Sequence, residues 1–359
     1  MNTHILTLLL TGLLSGSALP QVPELHSQLG LLAGSSAATA KPLTQEGELP
    51  WYADIDEARR VAAASGKHVL VSFTGTDWCA WCKKLDAEVL DTPIFAETSL
   101  ESFVLVRVDF DRAGDARKDL PFTDKNNALK AALGVKAFPT VVLMTAEGID
   151  YVQFPYLRGG AGPYVDKIVE AHTQASFLEE AVPKAVAAIA SAKSKEEAAG
   201  AADVATQLLL DAGPHALGVP LVPIVTATLK SPDLAREREA KAILALAGAN
   251  TVDDQLIDRA FAVDPRNEMG LPEAALAASM RTLSGASAVD PLIKRIEAML
   301  STTIVRDREA AAQMYGDCAY WIKSWQRDAD RSREMASFAL RLRPTDPDLL
   351  SMLRDLAGQ

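Results

Sequence analysis

The spacing of apolar residues changes character several times along this chain. Ile5 to Leu14 (ILTLLLTGLL) is an unbroken apolar run, shorter than the roughly 20 helical residues that cross a bilayer. Small residues follow (Ser15-Gly16-Ser17-Ala18), so residues 1–18 read as a secretory signal peptide with cleavage after Ala18. Its n-region is unusual, because no Lys or Arg precedes Lys41. Residues 19–49 have no period and are Ser, Ala, Thr, Gln and Pro rich, the composition of a flexible linker. From Trp51 a regular pattern begins. Asp54 is a candidate N-cap, and Ile55, Ala58 and Ala62 share one helical face until Ser65-Gly66 stops it. His68 to Phe73 is a short, β-branched apolar run that predicts a buried strand. Cys82, Leu85 and Val89 mark one face of a helix opening at Cys79. A second strand is expected over Phe103 to Asp109, then a charged loop (Asp111 to Asp124) and a helix ending near Leu133-Gly134. Thr140 to Thr145 and Ile149 to Phe154 alternate as a hairpin around Ala146-Glu147-Gly148, and a last helix runs from Pro163 to His172. Strands separated by helices need crossover connections, so residues 50–175 predict an α/β domain: a mixed sheet with helices on both faces.

From Ser176 the pattern is Ala-rich and helical throughout, broken at Gly213-Pro214, Ser231-Pro232, Pro265, Pro272, Pro291 and Pro344. Residues 176–359 therefore predict an all-α domain. Ala260 to Asn267 (AFAVDPRN) and Ala339 to Asp346 (ALRLRPTD) are alike, which fits a helix-hairpin solenoid of tetratricopeptide type. The spacing is not a clean multiple of that repeat, so an irregular helical bundle stands beside it. No constellation of catalytic residues occurs in this half, which reads as a partner-docking or dimerising surface. The composition break implies that the first domain, holding its own strands, covering helices and cysteine pair, folds alone.

Composition narrows the function. The 359 residues include 36 basic and 47 acidic side chains, a net charge of -11, without the clustered basic surface that nucleic-acid binding requires. Three cysteines are too few for a disulfide scaffold. No later run predicts a transmembrane segment; Ala216 to Leu229 is too short and carries Pro220 and Pro223. Three of the five tryptophans lie between residues 51 and 81, beside two of the cysteines, in Asp77-Trp-Cys-Ala-Trp-Cys82. Two cysteines three apart at a helix start occupy different environments. The first meets the unpaired N–H groups and the positive end of the dipole, which favour a thiolate. The second lies one turn in, shielded but within reach of the first sulfur, as a resolving thiol requires. Phe138-Pro139-Thr140 opens a later strand. Proline cannot donate to a ladder, and a cis bond there would kink the chain and leave backbone groups at Phe138 free for an extended substrate.

These residues resemble the thioredoxin superfamily, and within it the secreted thioredoxin-like group. The resemblance is carried by Trp51, the helix Asp54 to Ala64, Gly66-Lys67, the strand Val69 to Phe73, Thr74-Gly75 and Asp77 to Asp86. It covers residues 51–173 and implies a thioredoxin fold, Cys79 as nucleophile, Cys82 as resolving thiol and Pro139 as the cis-proline. Trp78 matches the position beside the nucleophile and reads as a substrate platform, with Trp81 and Phe138 as further substrate contacts. Three features depart from thioredoxin. Val71-Ser72-Phe73 has no carboxylate, so the proton-transfer role is vacant or falls to Asp77, Asp86 or water. The inner dipeptide is Ala80-Trp81, and the loop after the second strand is long.

The reaction this implies is thiol–disulfide exchange with protein disulfides or dithiols through the Cys79–Cys82 pair, with an unidentified redox partner, in the periplasm or outside the cell. Two alternatives stand: a thioredoxin-fold binding scaffold without catalysis, or a dithiol metallochaperone or cytochrome maturation factor. No metal or cofactor is expected, because zinc needs four ligands and only Cys318 and scattered histidines remain. Cys318, spaced with Met314, Tyr315, Trp321, Ile322 and Trp325, reads as a buried thiol in a helix core; His68 reads as structural, and Asp77 as a residue that caps or borders the active helix.

Overall fold

A computed structural model describes residues 49–359 apart from 119, 284–288 and 303–304. The expected signal peptide, and the linker up to residue 48, lie outside the described residues. Helix α1 (Ile55–Ser65) starts where the Asp54 carboxylate accepts from Asp56 N–H and stops at Gly66, whose left-handed φ of 65° suits glycine. Strand β2 (His68–Thr74) follows, buried along its whole length. β3 (Phe103–Asp109) pairs with it in parallel from His68–Phe103 to Thr74–Asp109, and β4 (Thr140–Met144) pairs antiparallel on its other side. β4 and β5 (Asp150–Pro155) form the expected hairpin. A two-residue strand, β1 (Trp51–Tyr52), adds to the outside of β3 and completes a mixed five-stranded sheet in the order β1-β3-β2-β4-β5. This is the mixed sheet that the pattern predicts and the thioredoxin-like arrangement that the resemblance implies, followed by helices only: among the described residues no strand occurs after Pro155.

Strand alternation divides the core in two. Val69, Val71 and Phe73, with Val104, Val106 and Val142, face α1 and α4 (Thr123–Ala132). Leu70, Leu105 and Leu143 face the opposite layer, where they meet Leu85, Phe95, Tyr164 and Ile168. Burial of each such side chain contributes about 1.5–3 kcal/mol, so both faces are needed to hold the sheet.

Three elements differ from the sequence expectation. The helix opening at Cys79 is α2 (Ala80–Leu85), which passes directly into a π-helical turn, Asp86–Leu90. A separate helix, α3 (Pro93–Ser102), then begins with Thr92 as N-cap and Pro93 in the first turn, a start signal that the apolar period did not register. The third difference is the largest. The helix expected to end at His172 is α5 (Ala161–Ser191), 31 residues without interruption. The boundary expected between 175 and 176 lies inside it. A change of composition does not stop a helix, and even Pro183, which lacks an N–H to donate, lies inside α5 without ending it.

The amino half of α5 covers the sheet through Tyr164, Val165 and Ile168, and its carboxyl half enters the helical array through Leu178, Val182 and Ala185. α6 (Lys195–Ala212) packs back against it. A single apolar core continues from Leu70 and Leu143 through Leu178, Leu209, Ile243 and Leu276 to Leu353. The two similar segments join α7 (Asp254–Val263) to α8 (Leu271–Arg281) and α10 (Ala329–Arg341) to α11 (Pro347–Ala357), and each joined pair packs together. Cys318 is fully buried in α9 (Arg308–Trp321), and burial pushes its thiol up to about 12.

His68 joins the sheet to the array. Its Nδ1 lies 2.9 Å from the Tyr151 hydroxyl and its Nε2 2.7 Å from a Glu179 carboxylate oxygen. His172 meets the His68 ring edge-on at 4.6 Å, and Tyr151 stacks on His215 at 5.5 Å. Burial lowers the pKa of both His172 and His215; for His172 the neighbouring His68 adds to the shift.

Candidate active site

Strand β2 ends at Thr74, and the chain turns through Gly75-Thr76-Asp77 to reach the cysteines. Cys79 N–H and Trp78 N–H both donate to Gly75 O, at 2.8 and 3.2 Å. The turn is tied to the end of β3 as well, because Thr76 N–H donates to an Asp109 carboxylate oxygen at 2.9 Å. Cys79 is the N-cap of α2: its backbone is extended, and its sulfur accepts from Cys82 N–H at 3.1 Å. The two cysteines are joined by a disulfide across a Cα separation of 5.2 Å. Cys79 retains 5% exposure against 1% for Cys82, so an incoming sulfur meets Cys79 first. In the reduced protein the Cys82 N–H and the start of the helix would act on the Cys79 thiolate, lowering its proton affinity.

Trp78 is held from three sides. Its indole N–H donates to Phe110 O at 2.9 Å, its ring lies over Gly75, and Phe138 meets it edge-on at 6.0 Å. Phe138 stacks in turn on Phe110 at 5.0 Å, and Phe110 on Phe73 at 6.0 Å. This aromatic column binds the turn before Cys79 to the segment before β4. The Phe138–Pro139 peptide bond is cis. The structure thus brings Trp78 and Phe138 together and places Trp81 apart from them. Trp81 is 50% exposed and lies 5.3 Å from the ring of Tyr156.

The charged groups divide between surface and interior. Asp77 does not cap the helix; it borders it, exposed and paired with Arg117, which also reaches Asp109 at 3.5 Å. Arg117 thereby ties the loop after β3 to the active turn. Asp86 is a different environment. It stands one turn beyond Cys82, its N–H bonded to Cys82 O, with its carboxylate 3.1 Å from Arg107. Burial raises its pKa against the opposing pull of Arg107. Ser72 is buried on β2, in the stretch Val71-Ser72-Phe73 that has no carboxylate. No cluster of three or more metal-ligating side chains occurs among the described residues.

Sequence reasoning missed Phe110, Arg107 and Tyr156. Arg107 falls inside the expected strand Phe103 to Asp109, and Phe110 between that strand and the charged loop that starts at Asp111. Tyr156 follows β5, and extending the Thr140–Pro155 pair by one step sets it opposite Pro139, a register that the bulge between Leu143 and Met144 hides from the sequence.

The profile of the Thioredoxin-like family matches residues 50–146. Disulfide bond reductase DsbH of Chlamydia pneumoniae is 30% identical over 141 residues, spanning 39% of this chain and 81% of that protein. The chain belongs to the thioredoxin-like family. This thioredoxin-like protein is also 27% identical over 126 residues to the thioredoxin-related protein DsbJ of the same organism, spanning 33% of this chain and 36% of that one. A solved structure described as DsbH oxidoreductase shares 29% identity, covering 41% of this chain and 95% of its own, with a TM-score of 0.32. Both curated relatives align with about a third of the chain, and the Cys79–Cys82 pair together with the DsbH match supports thiol–disulfide oxidoreductase chemistry in general terms.

Proposed function

We propose that this protein reduces disulfides of client proteins through Cys79 and Cys82, in the periplasm or outside the cell. The observation that carries the reading is the asymmetry of the pair: Cys79 caps the helix with Cys82 N–H on its sulfur, while Cys82 is sealed beneath. The reducing direction is supported by the printed name of the DsbH relative. In the reduced protein the Cys79 thiolate attacks one sulfur of a client disulfide. The client S–S bond breaks, its other sulfur leaves as a thiolate and takes a proton from solvent, and a Cys79–client mixed disulfide remains. Cys82 then gives its proton to Asp86 and attacks the Cys79 sulfur. The Cys79–client bond breaks, the second client sulfur leaves as a thiolate and takes a proton from solvent, Asp86 releases its proton, and the Cys79–Cys82 disulfide forms. Two electrons have passed to the client, and a partner dithiol restores the pair by the reverse exchange. Asp86 suits the proton step better than Asp77, which is exposed and paired with Arg117.

Trp78, Phe138 and Pro139 frame the client side of Cys79, and the helical half serves as a docking surface for protein partners. Among the described residues no helix is long and apolar enough to cross a membrane. The test is trapping. Cys82→Ser is expected to accumulate client mixed disulfides that dithiothreitol releases, and Cys79→Ser to accumulate none. Equal trapping by the two variants contradicts the assignment of the nucleophile.

A further inference from the structure

Exchange at Cys79 needs a thiolate and a resolving thiol; it does not need an exposed indole between them. Trp81 nevertheless occupies that position, half open to solvent. Its neighbour Tyr156 comes from the far end of the hairpin that Pro139 heads, one register step beyond the Thr140–Pro155 pair. The Tyr156 hydroxyl donates to a Glu88 carboxylate oxygen at 2.6 Å, which fixes the ring at 5.3 Å from Trp81. Lys84 Nζ stands 5.6 Å from the centroids of both rings. It pairs with the other oxygen of Glu88 at 3.6 Å and acts on the Tyr156 hydroxyl. An ammonium has three N–H donors, so one remains for another acid. Lys84 lies two residues from Cys82 in a chain whose net charge is -11, so this local positive charge opposes the field of the whole molecule.

We propose that Trp81, Tyr156 and Lys84 form a selectivity patch that reads the client residues flanking the attacked cystine. An aromatic side chain lies against the two rings, and an acidic neighbour pairs with Lys84. The rings are already held, so a client loses little entropy in ordering them, and an aromatic contact adds to area burial. The inference rests on the redox reading above and names the client class for it: segments with an aromatic and an acidic residue beside the disulfide.

The test uses the full chain, reduced in advance so that one turnover needs no further reductant. Three peptides, each with one internal disulfide, carry Trp-Glu, Gly-Gly or Trp-Lys beside the same cysteine. Wild type is expected to reduce the Trp-Glu peptide about fivefold faster than the Gly-Gly peptide and about twofold faster than the Trp-Lys peptide. Tyr156→Ala should lower the first ratio to about twofold, the share the acidic neighbour supplies, and Tyr156→Phe, which keeps the ring but not its bond to Glu88, should lower it less. Lys84→Gln should remove the second ratio while the preference for tryptophan persists. Equal wild-type rates on all three peptides overturn the inference alone, as does a Tyr156→Ala variant that slows all three by one factor. Failure of wild type to reduce any peptide overturns the redox reading, and the patch with it.

Discussion

Gly75 has no side chain, and the Trp78 indole fills that space. A Cβ at Gly75 would lie 2.6 Å from the indole Cε2, inside any tolerable contact. Gly75→Ala should therefore displace the ring, break its bond to Phe110 O and destabilise the protein by about 1–3 kcal/mol; a guanidinium titration followed by tryptophan emission measures both effects. The cysteines give a second prediction at this scale. In the reduced protein iodoacetamide should modify Cys79 far faster than Cys82, and Cys318 only on unfolding, because burial holds its thiol at about 12. Peptide mapping by mass spectrometry reads the order, and equal modification of the two active-site cysteines contradicts it. Cys79, Cys82 and Pro139 were legible in the sequence because each declares itself locally, by spacing or by residue type. Phe110 and Tyr156 were not, since their contacts with Trp78 and Glu88 join positions 32 and 68 residues apart and depend on strand register.

At the scale of elements, the active helix deserves a closer physical reading than its apolar spacing allows. A 3.6-residue period carried from Cys82 to Val89 describes one plain helix, but the turn Asp86–Leu90 is π-helical and holds one residue more than an α turn. That turn presents Asp86 to Arg107 and Glu88 to Tyr156. Asp86→Asn removes the proton acceptor proposed for Cys82 while keeping shape and a hydrogen-bond acceptor. Resolution of the mixed disulfide should slow by on the order of a hundredfold, with the Cys79 attack little changed; stopped-flow measurement of the two phases separates them. A variant that slows both phases alike would place Asp86 in the scaffold instead. The strands were the most legible elements, their β-branched runs matching β2 and β3 to within a residue. α3 was missed because its start depends on Thr92-Pro93, a capping signal rather than a periodic one.

For the whole molecule, the length of α5 replaces the expectation of two separable halves with one continuous core. A chain ending at residue 175 loses Glu179 from His68 and His215 from Tyr151. The first loss removes a hydrogen bond, the second a ring stack, and the apolar cover of Leu178 and Val182 goes with them, so the short chain should melt lower than the full protein or aggregate, by circular dichroism and gel filtration. The same junction sets a pH dependence. His172 and His215 have folded-state pKa values below the ordinary 6.5, so the unfolded chain binds protons more readily than the folded one. Their contribution to stability is complete above about pH 6.5 and is lost as pH falls through the lowered values. Melting temperature should decline as the pH drops from 7 to 5, and His172→Phe should flatten part of that slope.

Glu179 lies 111 residues beyond His68 along the chain. Synthesis runs from the amino end, so the central strand leaves the ribosome long before the helix that finishes covering it. Until α5 is complete, the half-made chain carries one apolar sheet face without its full cover, the condition in which chaperones bind and premature closure is slow.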